Sequence, residues 1–335
     1  MKQTIFTLLL LSTIGFVSCR KTGVEPNIAQ YDQTQILNYI KANGITGMVQ
    51  DKDSAGVDTS GIYYKIIQPG IIGLPLTYSD NISFVFSFRS FDGLYSKTDT
   101  IGNQYAGYLG HITEDALPIG LELAILNDLK YVGASMRVLI PSQLAYGVNG
   151  YGTGSINNPG SHIAGNQCLD YYVHVITSQK YDVISTNSSG YQYMHNTLQD
   201  AYDDQVINNF IVANKFTNLY TNDGGVYYRI LTAGKGTDSI TDNSTIEAQY
   251  TGRLLDGTVF DAQNTIYSTT GLDSASFDIP TLTTGVARIL KNHAVQGTTI
   301  SMLIPSGQGY GTVSSTLIPS NSCLRFEFTI QTVSP

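Results

Sequence analysis

Tyr250-Thr-Gly-Arg-Leu-Leu-Asp-Gly-Thr-Val-Phe-Asp261 is the stretch from which the fold of this chain can be predicted. Its Asp256-Gly257 pair lies between two runs of β-forming residues, and this setting is the strongest short-range signal for a β-hairpin. We expect a tight turn in which both residues of the pair adopt positive φ. The hairpin would bring Tyr250, Phe260 and Asp261 together at one end of a sheet.

The composition is typical of a β-rich protein with many glycine turns. The chain has 335 residues, which is enough for two or three domains with their own cores. It contains 23 Tyr and 33 Gly, and only 13% of its residues are charged. The formal net charge of −8 argues against nucleic acid as a partner, because phosphate binding needs a basic face.

The chain contains two copies of one unit. Several segments of the first half recur in the same order in the second half. The matched segments are 31–43 with 202–214, 61–66 with 225–230, 139–147 with 303–311, and 163–171 with 318–326. We therefore predict a first unit over residues 31–178, a linker over 179–195 and a second unit over 196–335.

The hydrophobic pattern predicts the same elements in each unit. Leading helices are expected at 31–43 and 202–214, and short helices at 121–129 and 286–291. Strands are expected at 63–67, 82–88, 135–140 and 171–176 in the first unit, and at 227–231, 245–250, 299–304 and 324–332 in the second. The predicted fold class is α+β, with an antiparallel sheet curled over a short helix in each unit.

The stretch from Tyr250 to Asp261 resembles the most recognisable segment of the FKBP family of peptidyl-prolyl isomerases. The resemblance covers most of both copies, apart from the leading helices, and it implies two tandem FKBP-like units. In the second unit it implies an aromatic well that holds a proline ring. By this resemblance the catalytic residues are Tyr250, Phe260, Asp261, Tyr310 and Phe326. The substrate-binding residues are Phe277, Leu282, Thr283, Val286 and Ile318.

The resemblance also implies roles for the polar groups of the well. The Tyr310 hydroxyl and the Thr283 backbone N–H would hold substrate carbonyl oxygens, and Asp261 would contact the carbonyl carbon region or orient Tyr250. Val286 stands where the family usually has Trp, which implies a wider and weaker well. Plain core packing is the alternative interpretation of Tyr250 and Phe326.

The chemistry implied needs no metal, cofactor or nucleophile. Rotation about an X-Pro bond must break amide resonance, which is a barrier of about 18–20 kcal/mol. The twisted imide is less dipolar than the planar one, so an apolar well favours the transition state over the ground state.

The first copy has lost the polar groups of the pocket. Phe86 stands where the second copy has Tyr250, and Lys97 follows the Asp92-Gly93 turn without a Phe-Asp pair. The degenerate first pocket would consist of Phe86, Leu121, Tyr146, Ile163 and Tyr171. We expect the first unit to be a binding or spacer module that is not a competent isomerase.

The first eighteen residues have the parts of a secretory signal, with a basic start and an apolar run too short to span a bilayer. Phe16-Val17-Ser18-Cys19 resembles a bacterial lipobox, so Cys19 is expected to be lipidated and residues 19–30 to form a tether. This predicts an exported bacterial lipoprotein at the outer membrane, facing the periplasm or the cell surface. An incidental cysteine in an ordinary signal peptide is the alternative.

The other two cysteines, Cys168 and Cys323, occupy matched positions in the two copies, so we expect buried thiols and no disulfide between them. The five His residues lack metal-binding spacing, and no metal site is predicted.

Three functions are compatible with these patterns. The first is a membrane-anchored prolyl isomerase that assists the folding of exported proteins, with proline-containing polypeptides as partners. The second is a non-catalytic peptide- or protein-binding lipoprotein built on degenerate FKBP domains. The third is a carbohydrate-associated surface lipoprotein in which both sheets serve as scaffold.

Overall fold

The computed structural model describes residues 27–52, 58–108, 117–152, 162–186, 192–264, 266, 273–313 and 315–334. The predicted signal peptide, the Cys19 lipidation site and most of the predicted tether lie outside the described residues. Among the helices of the described ranges, none is long and apolar enough to cross a membrane.

The described chain forms two large antiparallel sheets and a separate hairpin. The first sheet contains β1 (Val49–Lys52), β2 (Asp58–Gln68), β3 (Asn81–Ser90), β4 (Ser96–Tyr108), β5 (Ser135–Ile140) and β6 (Leu169–Ser178). The hairpin contains β7 (Val183–Thr186) and β8 (Gln192–His195). The second sheet contains β9 (Thr221–Asp223), β10 (Val226–Thr232), β11 (Thr245–Leu254), β12 (Val259–Gln263), β13 (Ala275–Asp278), β14 (Thr299–Ile304) and β15 (Leu324–Ser334).

The helices divide in the same way between the two halves of the chain. The first half contains α1 (Ile28–Ala42) and α2 (Ile119–Ala124), and α2 continues as a π-helical turn (Ile125–Leu129). The second half contains α3 (Thr197–Ala213) and α4 (Thr284–His293).

The two sheets share one strand order. The first runs β4-β3-β6-β5-β2-β1 and the second runs β12-β11-β15-β14-β10-β9, with β13 also paired to β11. The registers match as well, because Phe88 faces Tyr171 in the first sheet as Gly252 faces Phe326 in the second. The predicted α+β class with antiparallel sheets and short helices is confirmed.

The Asp-Gly hairpin forms as predicted, but its turn differs from the expectation. Gly257 has a φ of 95°, whereas Asp256 keeps a negative φ. The Leu254 N–H donates to the Thr258 carbonyl at 2.9 Å, and the Gly257 N–H donates to the Leu254 carbonyl at 3.0 Å. The Asp256 carboxylate accepts from the Thr258 N–H at 2.8 Å, which satisfies the turn without a second left-handed residue.

The predicted linker contains secondary structure. A 3-10 turn (Gln179–Tyr181) is followed by the β7-β8 hairpin, whose tip at 187–191 lies outside the described residues. The linker leads into Asn196, whose side chain accepts from the N–H groups of Leu198 and Gln199. This cap starts α3 five residues before the predicted Tyr202, because the side chain satisfies free donors at the helix end.

Each leading helix is docked by a buried carboxylate that the hydrophobic pattern did not indicate. Ser142 Oγ donates to Asp32 of α1 at 2.8 Å, and Ser306 Oγ donates to Asp203 of α3 at 2.6 Å. Both serines follow the proline at the end of β5 or β14, so each contact joins a leading helix to the same point of its sheet.

The two cysteines of the described chain lie beneath these helices. Cys168 and Cys323 are both buried and unpaired, in apolar clusters with Ile36 of α1 and Ile207 of α3. The prediction of buried thiols without a disulfide is confirmed.

Candidate functional site

An aromatic cluster covers the inner face of the second sheet. Tyr250 of β11 lies edge-to-face with Phe277 of β13, with ring centroids 5.1 Å apart. Phe260 of β12 lies edge-to-face with Phe326 of β15 at 5.6 Å. These contacts place predicted site residues from four strands in one apolar surface.

Phe328 connects the two halves of this cluster. Its ring centroid is 5.6 Å from Tyr250, 5.9 Å from Phe277 and 5.9 Å from Phe326. The sequence interpretation missed this residue. The signal was present, because Leu324, Phe326, Phe328 and Ile330 alternate along β15 and are all buried on one face.

Gly252 makes the contact between Phe260 and Phe326 sterically possible. A Cβ at this position would lie 2.6 Å from Phe260 Cε2 and 2.8 Å from Phe326 Cε1. Both distances are far below the 3.5–4.0 Å of an ordinary carbon–carbon contact. The two rings therefore use the space that a side chain of β11 would otherwise fill.

Polar groups lie at the rim of the cluster. The carboxylate of Asp261 is exposed and lies near the Tyr250 hydroxyl. Burial, followed by the neighbouring Asp261 carboxylate, raises the pKa of the Tyr250 phenol well above its ordinary value. Burial and the charge of Asp261 also raise the pKa of Tyr310, whose ring lies 6.4 Å from that of Phe260. Both phenols are therefore protonated donors at neutral pH.

The loop before α4 brings a backbone donor to the same region. Leu282, which packs against the aromatic cluster, precedes Thr283, the N-cap of α4. Within the described chain the Thr283 N–H has no hydrogen-bond acceptor, and the buried Thr283 Oγ1 has no partner either. A helix N-terminus with an unused N–H is suited to a carbonyl oxygen of a ligand.

The remaining predicted residues pack under the cluster. Val286 of α4 is only 2% exposed, and Ile318 is partly buried against the same core. The buried position of Val286 leaves almost none of its surface for a ligand. The wider well expected from valine at this position stays a prediction.

The corresponding space in the first unit is filled by the unit's own rings. Phe88, which occupies the register position of Gly252, stacks on Tyr171 with centroids 4.5 Å apart and on Tyr95 at 5.5 Å. Phe86 is 1% exposed and lies 6.0 Å from Tyr171. A proline ring would have to displace Phe88 to enter this space.

The polar groups of the first unit are also different. Lys97 lies opposite Phe88 in the first sheet, just as Asp261 lies opposite Gly252 in the second. The Lys97 Nζ lies 5.4 Å from the centroid of the Phe86 ring. A cation over a phenyl ring thus stands where the second unit has a carboxylate and a phenol.

The other predicted residues of the first pocket belong to the same core. Leu121 and Ile163 are buried, and Tyr146 stacks on Tyr151 at 4.6 Å. Burial raises the pKa of Tyr146 to about 12. The five residues predicted for the first pocket therefore pack together in the hydrophobic core of the first unit.

No group of three or more His, Cys, Asp or Glu side chains that could hold a metal ion occurs among the described residues.

Comparison with known proteins gives a family for the second unit. The family model of the FKBP-type peptidyl-prolyl cis-trans isomerase matches residues 236–331. Residues 236–331 belong to the FKBP family. The matched segment contains β11 to β14, most of β15, α4 and all ten residues predicted for the second well.

Relatives of known sequence are similar to part of the chain. The FKBP-type peptidyl-prolyl cis-trans isomerase FkpA of Escherichia coli K12 is 33% identical over 121 residues, which is 36% of this chain and 42% of FkpA. FkpA of Escherichia coli O157:H7 gives the same figures. The chain thus spans less than half the length of these curated relatives.

Solved structures of FKBP proteins are also similar to this chain. The crystal structure of Escherichia coli FkpA covers 41% of this chain and 62% of its own, with 29% identity and a TM-score of 0.35. The match to a peptidyl-prolyl cis-trans isomerase of Pseudomonas syringae pv. tomato covers 40% of this chain and 96% of that protein, with 27% identity and a TM-score of 0.34. The match to the three FKBP domains of wheat FKBP73 covers 82% of this chain and 94% of that structure, with 16% identity and a TM-score of 0.30.

Proposed function

We propose that the second unit is a peptidyl-prolyl cis-trans isomerase and that the first unit is an inactive copy serving as a spacer or binding module. One observation carries this proposal. An aromatic well inside an FKBP-type domain is rimmed by the Tyr250–Asp261 pair and by Tyr310. The first unit has rings and a lysine at the matching register positions, which supports the unequal roles.

The well would accelerate rotation about the X-Pro bond by desolvating it. The rings of Phe260 and Phe326 and the lower part of Tyr250 would surround the proline and exclude water. The planar imide loses more hydration than the twisted one, so this environment lowers the barrier of about 18–20 kcal/mol. Neither a covalent intermediate nor a metal is required for this step.

The polar groups would fix the peptide while the bond rotates. The Tyr310 hydroxyl and the unused Thr283 N–H are donors for carbonyl oxygens on the two sides of the proline. Asp261 would accept a hydrogen bond from the Tyr250 hydroxyl and keep that ring in place. Such donors assist catalysis when they are held in position before the substrate binds.

The substrates would be proline-containing polypeptides, since the reaction concerns the X-Pro bond. We propose that they are exported proteins, because residues 1–18 have the parts of a secretory signal. Lipidation at Cys19 would anchor the two units to a membrane through the short tether that precedes α1.

A protease-coupled proline-isomerisation assay on the full chain tests this function. The parent should accelerate the isomerisation of a proline tetrapeptide. Asp261→Ala should lower kcat/KM about two- to tenfold, because a hydrogen bond contributes about 0.5–1.5 kcal/mol net. Lys97→Ala, the matched change in the first unit, should leave kcat/KM at the parent value. A parent that does not accelerate the reaction, or an equal loss in both variants, would refute the assignment.

A non-catalytic peptide-binding protein is the second candidate. Val286 favours it, because it replaces the large ring expected at the floor of the well and is itself buried. Binding of proline peptides by the full chain, measured by fluorescence anisotropy without any acceleration in the isomerisation assay, would establish this alternative.

A further inference from the structure

A cleft of about 280 Å³ lies where the two units meet, and Tyr310 of the candidate well forms part of its wall. Ser83 and Thr177 of the first sheet line one side, and the glycine-rich turn after β14 lines the other. The volume is slightly below the roughly 300–1,000 Å³ of typical small-molecule sites. The cleft therefore suits one or two side chains better than a cofactor.

The floor of this cleft is a buried chain of hydrogen bonds that joins the two units. Ser83 Oγ donates to Gln199 Oε1 at 2.7 Å, and Gln199 Nε2 donates to Asp203 Oδ1 at 2.8 Å. Asp203 Oδ2 accepts from the Ser306 N–H at 2.7 Å and from Ser306 Oγ at 2.6 Å. All four residues are at most 5% exposed. A satisfied buried network of this kind is rigid, so the cleft is formed before any ligand arrives.

The described lining of the cleft carries negative charge. Asp182 and Asp200 both line it, whereas no Lys, Arg or His belongs to the described lining. Asn196 Nδ2 donates to Asp182 Oδ1 at 2.7 Å and holds that carboxylate in place. Burial raises the pKa of Asp182, and a cation placed in the cleft would offset this desolvation.

We propose that this cleft binds a lysine or arginine side chain of the polypeptide whose proline occupies the neighbouring well. The inference rests on the proposed isomerase function, because it assigns a flanking residue to the same substrate. Tyr310 is the shared wall, so a residue only a few positions from the proline reaches the cleft.

The walls also suit the apolar stem of such a side chain. Val313 is 69% exposed and Tyr310 is 41% exposed, and both line the cleft. Lysine and arginine place their methylene groups along apolar surface while the charged end reaches polar partners. The carboxylates of Asp182 and Asp200 would receive that charged end.

The test compares the binding of matched peptides to the full chain by fluorescence anisotropy. Each pair contains one proline and differs only by Lys or Gln at successive positions on either side. The parent should bind the Lys peptide more tightly at one of these positions. Asp182→Asn and Asp200→Asn should each reduce the Lys/Gln affinity ratio about two- to fivefold, as expected for partly exposed ion pairs. Raising the salt concentration should reduce the same ratio.

A matched control removes two negative charges elsewhere. Asp238→Asn combined with Glu327→Gln changes two exposed carboxylates of the second unit and should preserve the Lys/Gln ratio. Asp200→Lys should abolish the preference for the Lys peptide, because the new charge offsets that of Asp182. Equal binding of Lys and Gln peptides by the parent would overturn the proposal, as would an unchanged ratio in the double Asp182→Asn, Asp200→Asn variant.

The isomerisation assay separates this proposal from the proposed function. A Lys-dependent binding difference without acceleration of either peptide would refute the enzyme while supporting the cleft. Acceleration of both peptides with no difference in their binding would support the enzyme and refute the cleft.

Discussion

Gly252→Ala tests the steric basis of the well. The new methyl group would lie 2.6 Å from Phe260 Cε2, 2.7 Å from Phe260 Cζ and 2.8 Å from Phe326 Cε1. Because ordinary carbon–carbon contacts are about 3.5–4.0 Å, each ring has to move by roughly 1 Å. Phe326 cannot move freely, since it is 5% exposed and packs against Phe328 at 5.9 Å.

Two effects determine the expected change in stability. Overpacking of a core costs about 1–3 kcal/mol. The lower entropy of the unfolded chain offsets about 0.4–1 kcal/mol of that cost when Gly becomes Ala. We expect the free energy of unfolding to fall by about 0.5–2 kcal/mol, measured by urea denaturation.

The activity should fall by more than this stability loss implies. A displacement of about 1 Å in a positioned site can lower a rate by about a hundredfold. We therefore expect kcat/KM in the protease-coupled assay to fall about ten- to a hundredfold under conditions where the variant is fully folded.

Gly257→Ala is the matched control. Gly257 has a φ of 95°, and a Cβ there would meet nothing within 4 Å. The left-handed conformation costs a residue with a side chain about 1–2 kcal/mol, so the stability loss should be similar. Its kcat/KM should stay at the parent value. A Gly252→Ala protein with parental kcat/KM, or an equal activity loss in Gly257→Ala, would refute the role of the two rings.

Three further predictions concern other parts of the chain. Burial raises the pKa of Asp203 to about 6, above its ordinary value of about 3.9, so its contribution to stability is greatest below pH 4 and is lost as the pH rises through 6. In urea titrations the free energy of unfolding of the parent should therefore fall by on the order of 3 kcal/mol over this pH range, and Asp203→Asn should remove that fall. Identical pH profiles of parent and variant would contradict this. Val286→Trp should lower the free energy of unfolding by about 1–3 kcal/mol, because a larger ring at a position that is 2% exposed overpacks the core, and an unchanged denaturation midpoint would show that the well accommodates the ring. Cys19→Ala should leave the protein soluble or uncleaved in cell fractionation, whereas partition with lipoproteins as in the parent would exclude the anchor.

Much of the fold follows from local signals in the sequence. The Asp256-Gly257 pair gives the hairpin, and alternation of apolar residues gives β5 and β14 with their observed bounds. The repeat shows each predicted element twice, which explains why the same elements were predicted in both units. The early start of α3 was missed because the prediction relied on apolar spacing and not on the capping side chain of Asn196.

The candidate site was predicted less completely, because some of its features depend on contacts between distant residues. The Asp203–Ser306 contact joins positions 103 residues apart, and nothing local to either residue indicates a buried carboxylate there. The filling of the first pocket by Phe88 became clear only from its register opposite Tyr171. The role of Gly252 likewise depends on rings from two neighbouring strands.

The central claim is that the second well, and not the first, catalyses rotation of the X-Pro bond. Exchange NMR of a proline peptide with catalytic amounts of full-length protein measures that rotation directly, without a coupling protease. Phe326→Leu and Tyr171→Leu change the same register position in the two units. The account predicts cis-trans exchange peaks with the parent and with Tyr171→Leu, and their loss with Phe326→Leu. Exchange that survives in Phe326→Leu but disappears in Tyr171→Leu would contradict it.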